Sequence, residues 1–386
     1  MNEKAKTVLF EEHKKLGCKF FSFGGFEMPL NYEKGVIAEH RYTRQHSGLF
    51  DISHMGRFLF QGESALSFLR FVLTNDAGLL DIMKAQYTFI SDENGNILDD
   101  AILYRIGTEE YMLAVNASNA EKDWLHISEE NRAFGAKMTD ITKKTGMLAV
   151  QGPKSIEILE NLFLDQSLST LRKNEIVSIN YNGDPVLVSR TGYTGEKYGF
   201  ELFIPSTALP QVWCNLLSLG ANPCGLGARD TLRIEAGFPL YGQELGKDAL
   251  GREIPVYANP SAFFGINFAD EKREFIGKEA LRIQKDSCEK SISVFELMEK
   301  GMPRSGSKVT SGGKEVGYVT SGNAVPHSPE KDDALPQTFR YIGLALIDRC
   351  FEQGEIVEII LPKGPVSAVL RKSILADNQN DVVTAL

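Results

Sequence analysis

Gly56-Arg-Phe-Leu-Phe-Gln-Gly62 returns later in the chain as Gly146-Met-Leu-Ala-Val-Gln-Gly152. Each is a short apolar run closed by Gln-Gly, and each is followed by a helical pattern. After the first, Ala65, Phe68, Leu69, Val72 and Leu73 fall on one helix face; after the second, Ile156, Leu159 and Phe163 do the same. The match continues at nearly the same offset. Tyr111-Met-Leu-Ala-Val115 corresponds to Phe200-Glu-Leu-Phe-Ile204, both strand-like. Residues 101–106 follow the turn Glu93-Asn-Gly-Asn96, and residues 186–190 follow Asn182-Gly-Asp184. The two tryptophans, Trp124 and Trp213, close the correspondence. Each copy therefore reads β-α-β-β-α. The spacing predicts an α+β body of duplicated split β-α-β units, antiparallel sheets with helices on one face, and a pocket where the copies meet.

From Ser291 the pattern changes to strands alone. Lys308-Val-Thr-Ser-Gly-Gly-Lys-Glu-Val-Gly-Tyr-Val-Thr320 is a hairpin around Gly312-Gly313, and residues 341–347, 354–361 and 366–370 read as further strands. A C-terminal antiparallel β-barrel is expected here, with the charged segment 270–290 as its boundary. Residues 326–338 read as a surface insertion.

The length, 386 residues, allows two or three domains, and an apolar fraction of 42% excludes disorder as the dominant state. Lys and Arg total 42 against 51 Asp and Glu, a formal charge of −9, which argues against duplex nucleic acid as the main partner. The start, Met-Asn-Glu-Lys-Ala-Lys-Thr-Val, has no apolar run after its charges, so a cytoplasmic location is expected. The five cysteines are widely spaced without C-x-x-C, and no H-x-x-x-H occurs, so neither a disulfide framework nor a metal centre is expected.

Three clusters carry candidate chemistry. In Gly225-Leu-Gly-Ala-Arg-Asp-Thr-Leu-Arg-Ile-Glu-Ala-Gly237 a helix buries Ala228, Leu232 and Ala236. Arg229 or Arg233 either pairs with Asp230 or Glu235 or binds a ligand's anion; the local sequence leaves both open. In Asp99-Asp100 neighbouring strand residues face opposite sides. One carboxylate can enter a pocket and stabilise developing positive charge, while the other meets solvent or caps the preceding turn. Arg190-Thr-Gly-Tyr-Thr-Gly-Glu196 is a glycine turn presenting Tyr193; it lacks the Lys-Ser/Thr of a phosphate loop. These residues alone do not define a reaction.

Taken together, Phe50-Asp-Ile-Ser-His-Met-Gly56, Thr74-Asn-Asp76, Asn96-Ile-Leu-Asp-Asp-Ala-Ile-Leu-Tyr104, Val115-Asn-Ala-Ser-Asn119 with Glu121-Lys-Asp123, Leu148-Ala-Val-Gln-Gly-Pro153, the Tyr193 turn, Gly227-Ala-Arg-Asp230, Leu240-Tyr-Gly-Gln-Glu244 and Gly317-Tyr-Val-Thr-Ser-Gly322 resemble the aminomethyltransferase (T-protein) family of the glycine cleavage system. The resemblance runs in order over nearly the whole chain. It implies a three-domain cloverleaf: residues 1–54 with 146–245, residues 55–145 with 246–275, and a barrel over 291–386. It also implies transfer of an aminomethyl carbon from the lipoyl arm of H-protein to tetrahydrofolate, with release of ammonia. Asp100 matches the family's essential carboxylate. Met55, Tyr87, Tyr104, Asn116, Tyr193, Glu201, Arg229 and Tyr241 match or neighbour folate-site positions, and Phe264 stands where the family has a tryptophan ring. Two other readings stay open. One is a tetrahydrofolate-dependent transferase acting on a small sulfonium or amine. The other is a non-enzymatic folate-binding protein, disfavoured because Phe238-Pro-Leu-Tyr-Gly-Gln-Glu244 lacks that relative's cysteine.

Overall fold

The computed structural model describes residues 4–164, 166–327 and 338–375. In chain order the elements are β1 (Ala5–Lys6), α1 (Phe10–Lys15), β2 (Lys19–Phe23), β3 (Phe26–Asn31), α2 (Gly35–Gln45), β4 (Gly48–Asp51), β5 (Gly56–Gln61), α3 (Ser64–Val72), β6 (Lys84–Ser91), β7 (Ile97–Gly107), β8 (Glu110–Val115), α4 (Ala120–Asn131) and β9 (Lys137–Asp140). There follow β10 (Thr145–Gln151), α5 (Ser155–Leu162), β11 (Ile176–Tyr181), β12 (Asp184–Ser189), β13 (Gly199–Pro205), α6 (Leu209–Ser218), β14 (Asn222–Pro223), α7 (Leu226–Ala236), α8 (Ala262–Gly265) and α9 (Lys278–Ser287). The remaining strands are β15 (Lys290–Leu297), β16 (Lys308–Ser311), β17 (Lys314–His327), β18 (Thr338–Asp348), β19 (Ile356–Leu361) and β20 (Gly364–Arg371). The chain divides into two compact units: residues 1–229 with 264–278, and residues 230–263 with 279–386.

The duplication is explicit in the first unit. One sheet has the order β6-β7-β8-β5-β9, and the other has β11-β12-β13-β10-β4-β14. The leading strand of each copy pairs antiparallel with the last strand of its hairpin. Gly56 lies opposite Val115 in the first copy, and Gly146 opposite Ile204 in the second. The copies differ at one edge. In the first, β9 joins the leading strand directly; in the second, β4 is interposed between β10 and β14. The hairpin from β11 to β12 turns through Asn182 and Gly183, both at positive φ, as a two-residue turn matching the strand twist requires.

Helices cover one face of each sheet. In the first copy Ala65, Phe68, Leu69 and Val72 of α3 are buried with Phe60, Ile90, Leu103 and Leu113, so the expected stripe is the one the fold uses. In the second, Leu159 and Phe163 of the expected stripe lie in the core together with Ile158, and Ile156 packs against it. Ile156 is only half-buried, and Phe163 lies one residue past the helix end. Trp213 is enclosed on α6 and meets His13 edge-on at 5.0 Å; Trp124 on α4 is half-buried and packs on Phe58 at 5.1 Å.

In the second unit the strands close in the order β15-β18-β17-β16-β19-β20. Phe295, Val309, Val319, Ile347 and Ile359 fill the barrel. The turn at Gly312-Gly313 has positive φ at both residues, as the hairpin pattern predicts. Residues 328–337 of the expected insertion lie outside the described residues. Among the described residues no helix is long and apolar enough to cross a membrane.

The shared Gln-Gly pair gives a test of the two copies. Both glycines have left-handed φ, +92° at Gly62 and +130° at Gly152. A Cβ on Gly62 would meet open space, whereas one on Gly152 would lie 2.4 Å from the Thr43 carbonyl oxygen. Gly62→Ala should cost about 1–2 kcal/mol for the backbone alone. Gly152→Ala should cost roughly 1–3 kcal/mol more for the clash, seen as a lower midpoint in urea unfolding.

Candidate functional site

The hairpin of β6 and β7 carries the first half of the site. Its register places Ile90 opposite Asp99 but Ser91 opposite Ile97, so Leu98 is an extra residue and the strand bulges immediately before the aspartate pair. Such a bulge re-aims the side chains beside it. Asp100, Ile102 and Tyr104 then follow on one face by the two-residue period of the strand.

Asp100 is partly buried. It accepts a hydrogen bond from the Tyr87 hydroxyl at 3.0 Å on Oδ2 and from Asn116 Nδ2 at 2.8 Å on Oδ1. The same Asn116 amide reaches Asp99 Oδ1 at 2.9 Å, and the Asn116 backbone N–H reaches Asp99 Oδ2 at 2.8 Å. Asn116 can do this because it follows the end of β8, where the chain leaves the ladder. Burial, reinforced by the adjacent Asp99 charge, pushes the Asp100 carboxyl up to about 7, against the opposing pull of its bonds from Tyr87 and Asn116. Asp99 is not the solvent-facing or turn-capping partner that strand alternation suggests. It is fully buried, and it accepts from Asn119 Nδ2 at 2.6 Å as well as from Asn116.

The second half comes from the other copy. Tyr104 is fully buried and donates its hydroxyl to Glu201 Oε2 on β13 at 3.1 Å; Thr191 Oγ1 donates to the same oxygen at 2.6 Å. Burial and the Glu201 charge hold the Tyr104 phenol well above its ordinary value, so it stays a donor. Arg229 lies in α7, with its guanidinium 4.8 Å from the Tyr193 ring. Its Nη1 is buried without a hydrogen-bond partner among the described residues. Burial lowers its affinity for the proton, and Glu201 and Tyr193 counter that. The cation is thus the site's open donor. The helix-borne alternative falls to the other arginine: Arg233 pairs with Asp230 at 2.9 Å and with the buried Glu244 at 2.9 Å, inside the second unit.

Tyr87 also meets Phe264 at 5.6 Å and Phe89 at 5.1 Å between ring centroids, so Phe264 joins the aromatic wall on the Asp100 side. Met55 is half-buried after the turn at Asp51. The structure brings Asp100, Tyr87, Asn116 and Phe264 into one set of contacts, and Tyr104, Glu201, Tyr193 and Arg229 into another. Asp100 and Tyr104 share one face of β7 and so link the two sets. Tyr241 belongs to the second unit, where its ring covers Gly246.

The sequence reading missed the residues that hold these loops. Arg57 is fully buried and donates to the carbonyls of Met55 at 2.5 Å, Ser53 at 3.1 Å, Thr142 at 2.5 Å and Thr145 at 2.8 Å. Arg273 gathers the carbonyls of Arg70, Leu73, Thr74, Asn75 and Asn267. Asn75, held in this way, donates to the carbonyls of Tyr87 at 2.8 Å and Phe264 at 2.9 Å. Gln151 donates to the Thr191 carbonyl and accepts from Thr194, fixing the Tyr193 turn from within. The available signal was a charged residue inside an apolar strand, Arg57, and the repeated Gln-Gly.

The sequence family described as the GCVT N-terminal domain matches residues 9–254. An aminomethyltransferase of Thermus thermophilus is 43% identical over 321 residues, covering 83% of this chain and 88% of that protein. One of Caldanaerobacter subterraneus is 38% identical over 375 residues, covering 95% and 94%. The crystal structure of glycine cleavage system aminomethyltransferase T from Bartonella henselae superposes with a TM-score of 0.85 at 28% identity, over 98% of this chain and 99% of that one.

The raised Asp100 carboxyl has a stability consequence. A carboxyl ionised in the unfolded chain above about pH 4 but neutral in the fold up to about pH 7 disfavours folding. The cost begins above the unfolded value, grows between the two and levels off above about 7. Asp100→Asn should therefore leave Tm unchanged relative to wild type near pH 4 and raise it progressively to a plateau above pH 7, measured by thermal melts across that range.

Proposed function

Because the chain belongs to the GCVT aminomethyltransferase family and is a transferase of that type, we propose that it moves the aminomethyl carbon of a lipoylated H-protein onto tetrahydrofolate. In that reaction the carbon's bonds to nitrogen and sulfur break, and it forms bonds to two folate nitrogens. The protons those nitrogens lose end on ammonia and on the dihydrolipoyl thiol. The carbon's oxidation level does not change, so the chemistry asks the protein for positioning and charge stabilisation. The three-domain arrangement implied by the resemblance is part of the same reading.

The observation that carries it is the Asp100 constellation. A carboxyl poised near neutrality, held by Tyr87 and Asn116, lies on the same strand face as Tyr104 and hence Glu201. Above its pKa Asp100 is the charge that offsets the cation developing as ammonia leaves, and it orients the pterin. It acts without forming a covalent bond. Glu201 takes both protein donors on Oε2, which leaves Oε1 to accept from the pterin's amino edge. Arg229 brings its unpartnered Nη1 and full charge to folate's carboxylate tail, a planar cation suited to that anion. Tyr87 and Phe264 supply ring faces on the Asp100 side, Tyr193 supplies one beside Arg229, and Met55 is assigned to the same ligand.

Turnover of aminomethyl-loaded H-protein with tetrahydrofolate tests the assignment. Wild type should form methylenetetrahydrofolate, and Asp100→Asn should lose at least about a hundredfold in kcat while still binding folate. Wild-type kcat/KM should rise with pH up to about 7 and then flatten, because only ionised Asp100 is competent; the rise should be absent from the residual activity of Asp100→Asn. Folate binding without turnover of loaded H-protein contradicts the assignment. Separately, Arg229→Met should weaken folate binding on the order of tenfold to a hundredfold, measured by fluorescence titration, with kcat affected less.

A further inference from the structure

Behind Asp99 lies a third carboxyl. Asp123 sits in the first turn of α4 and is fully buried. Neither of its oxygens receives an N–H or a hydroxyl from any described residue. The group it meets is the carboxyl of Asp99, in hydrogen-bond contact. Two ionised carboxylates facing each other out of water repel without compensation, so a contact of this kind holds one proton between them. The donors decide which side carries it. Asp99 accepts from the Asn116 backbone, the Asn116 amide and the Asn119 amide, all of which favour its charged form. Asp123 accepts from none. Among the described residues no group of three His, Cys, Asp or Glu side chains is spaced to hold a metal ion.

We propose that Asp123 is a neutral carboxylic acid that donates its proton to Asp99 and, through Asp99 and Asn116, acts as the positioning residue for Asp100. The charge kept on Asp99 holds Asn116 from one side, and Asn116 then presents its remaining donor capacity to Asp100. The same charge raises the Asp100 carboxyl into the neutral range. The other charged and titratable groups around Asp123 are few. Lys122, the neighbouring cation, donates to the Leu98 carbonyl and to Asn119 Oδ1 and favours ionisation of Asp123; Asp100 opposes it. His126, one helical turn on, is held towards its neutral form by burial. The balance, dominated by burial and then by the Asp99 charge, pushes Asp123 up to about 10. The catalytic consequence rests on the role given to Asp100 above, but the protonation state does not.

The direct test uses the resting protein without substrate. Infrared difference spectra of wild type and Asp123→Asn are taken at about pH 9, where Asp100 is ionised and Asp123 still holds its proton. The expected result is a neutral-carboxyl C=O band in wild type that is lost in the variant. A band retained in Asp123→Asn places the proton elsewhere, and no such band in wild type means both groups are charged; either overturns the proposal.

Kinetics then test the positioning role. Asp123→Asn keeps a donor facing Asp99 and should recover most of what Asp123→Leu loses. Asp123→Leu should lose on the order of tenfold to a hundredfold in kcat with little change in KM for folate. Its acid limb should also move to lower pH, because without the Asp123 donor burial raises the Asp99 carboxyl further and its charge on Asp100 weakens. Equal kcat and an unmoved limb in the two variants would leave Asp123 a packing residue only. If wild type itself does not turn over loaded H-protein, the assigned reaction fails while the infrared result still decides the proton.

Discussion

Two carboxyl groups on consecutive residues of one strand are held by a single amide. Asn116 reaches Asp99 and Asp100 at once, and the site's electrostatics follow from that sharing. Left in water, each aspartate would be ionised well below neutral pH. Brought together in a partly closed site, they cannot both carry full charge cheaply. Burial raises the Asp99 carboxyl too, but its three amide donors pull against that and favour its charged form; Asp100 faces the site and is left to titrate near neutrality. In the role proposed for Asp100, a carboxylate works because its environment is unfavourable to it. The fold must therefore supply the stability that the site withholds.

That supply comes from the duplicated scaffold. Each copy buries its helices against one face of its sheet and leaves the other face to the site. The loops crossing that face are not left to their own propensities. Arg57 and Arg273 each gather several backbone carbonyls, turning irregular chain into fixed geometry. A guanidinium has donors enough for this in a rigid fork, and an uncharged side chain of equal size does not. Gln151 does the same for the Tyr193 turn from the second copy. The glycine that follows it is the one that approaches Thr43 too closely for any Cβ.

Much of this was legible in the chain. The duplication shows because strand and helix periodicities repeat together, and the sheet orders repeat with them. The barrel shows because its turns demand glycine at defined places. What was not legible depends on contacts between distant segments. β4 has only four residues, and nothing local says that it will part β10 from β14. The second helical stripe omitted Ile158, which a short apolar helix also buries beside Leu159. Asp99 was misread because strict alternation holds only for a regular strand; the extra residue at Leu98 and the position of Asn116 beyond its strand end break it. Asp123 reads locally as one of the acids that favour a helix start, and only the tertiary structure puts it against another acid. Arg229 and Arg233 are equivalent by spacing. Their roles separate only when Glu244 closes on one of them.

Burial raises the Asp100 carboxyl, and the charge of the adjacent Asp99 carries it further. The most direct measurement is a carbon-13 NMR titration of the labelled aspartate carboxyls in wild type and in Asp99→Asn, with the Asp100 signal assigned through Asp100→Asn. A midpoint near 7 in wild type that falls by at least about one pH unit in Asp99→Asn is the predicted result. An Asp100 midpoint in the ordinary carboxylate range, or one that ignores the loss of Asp99, would contradict it.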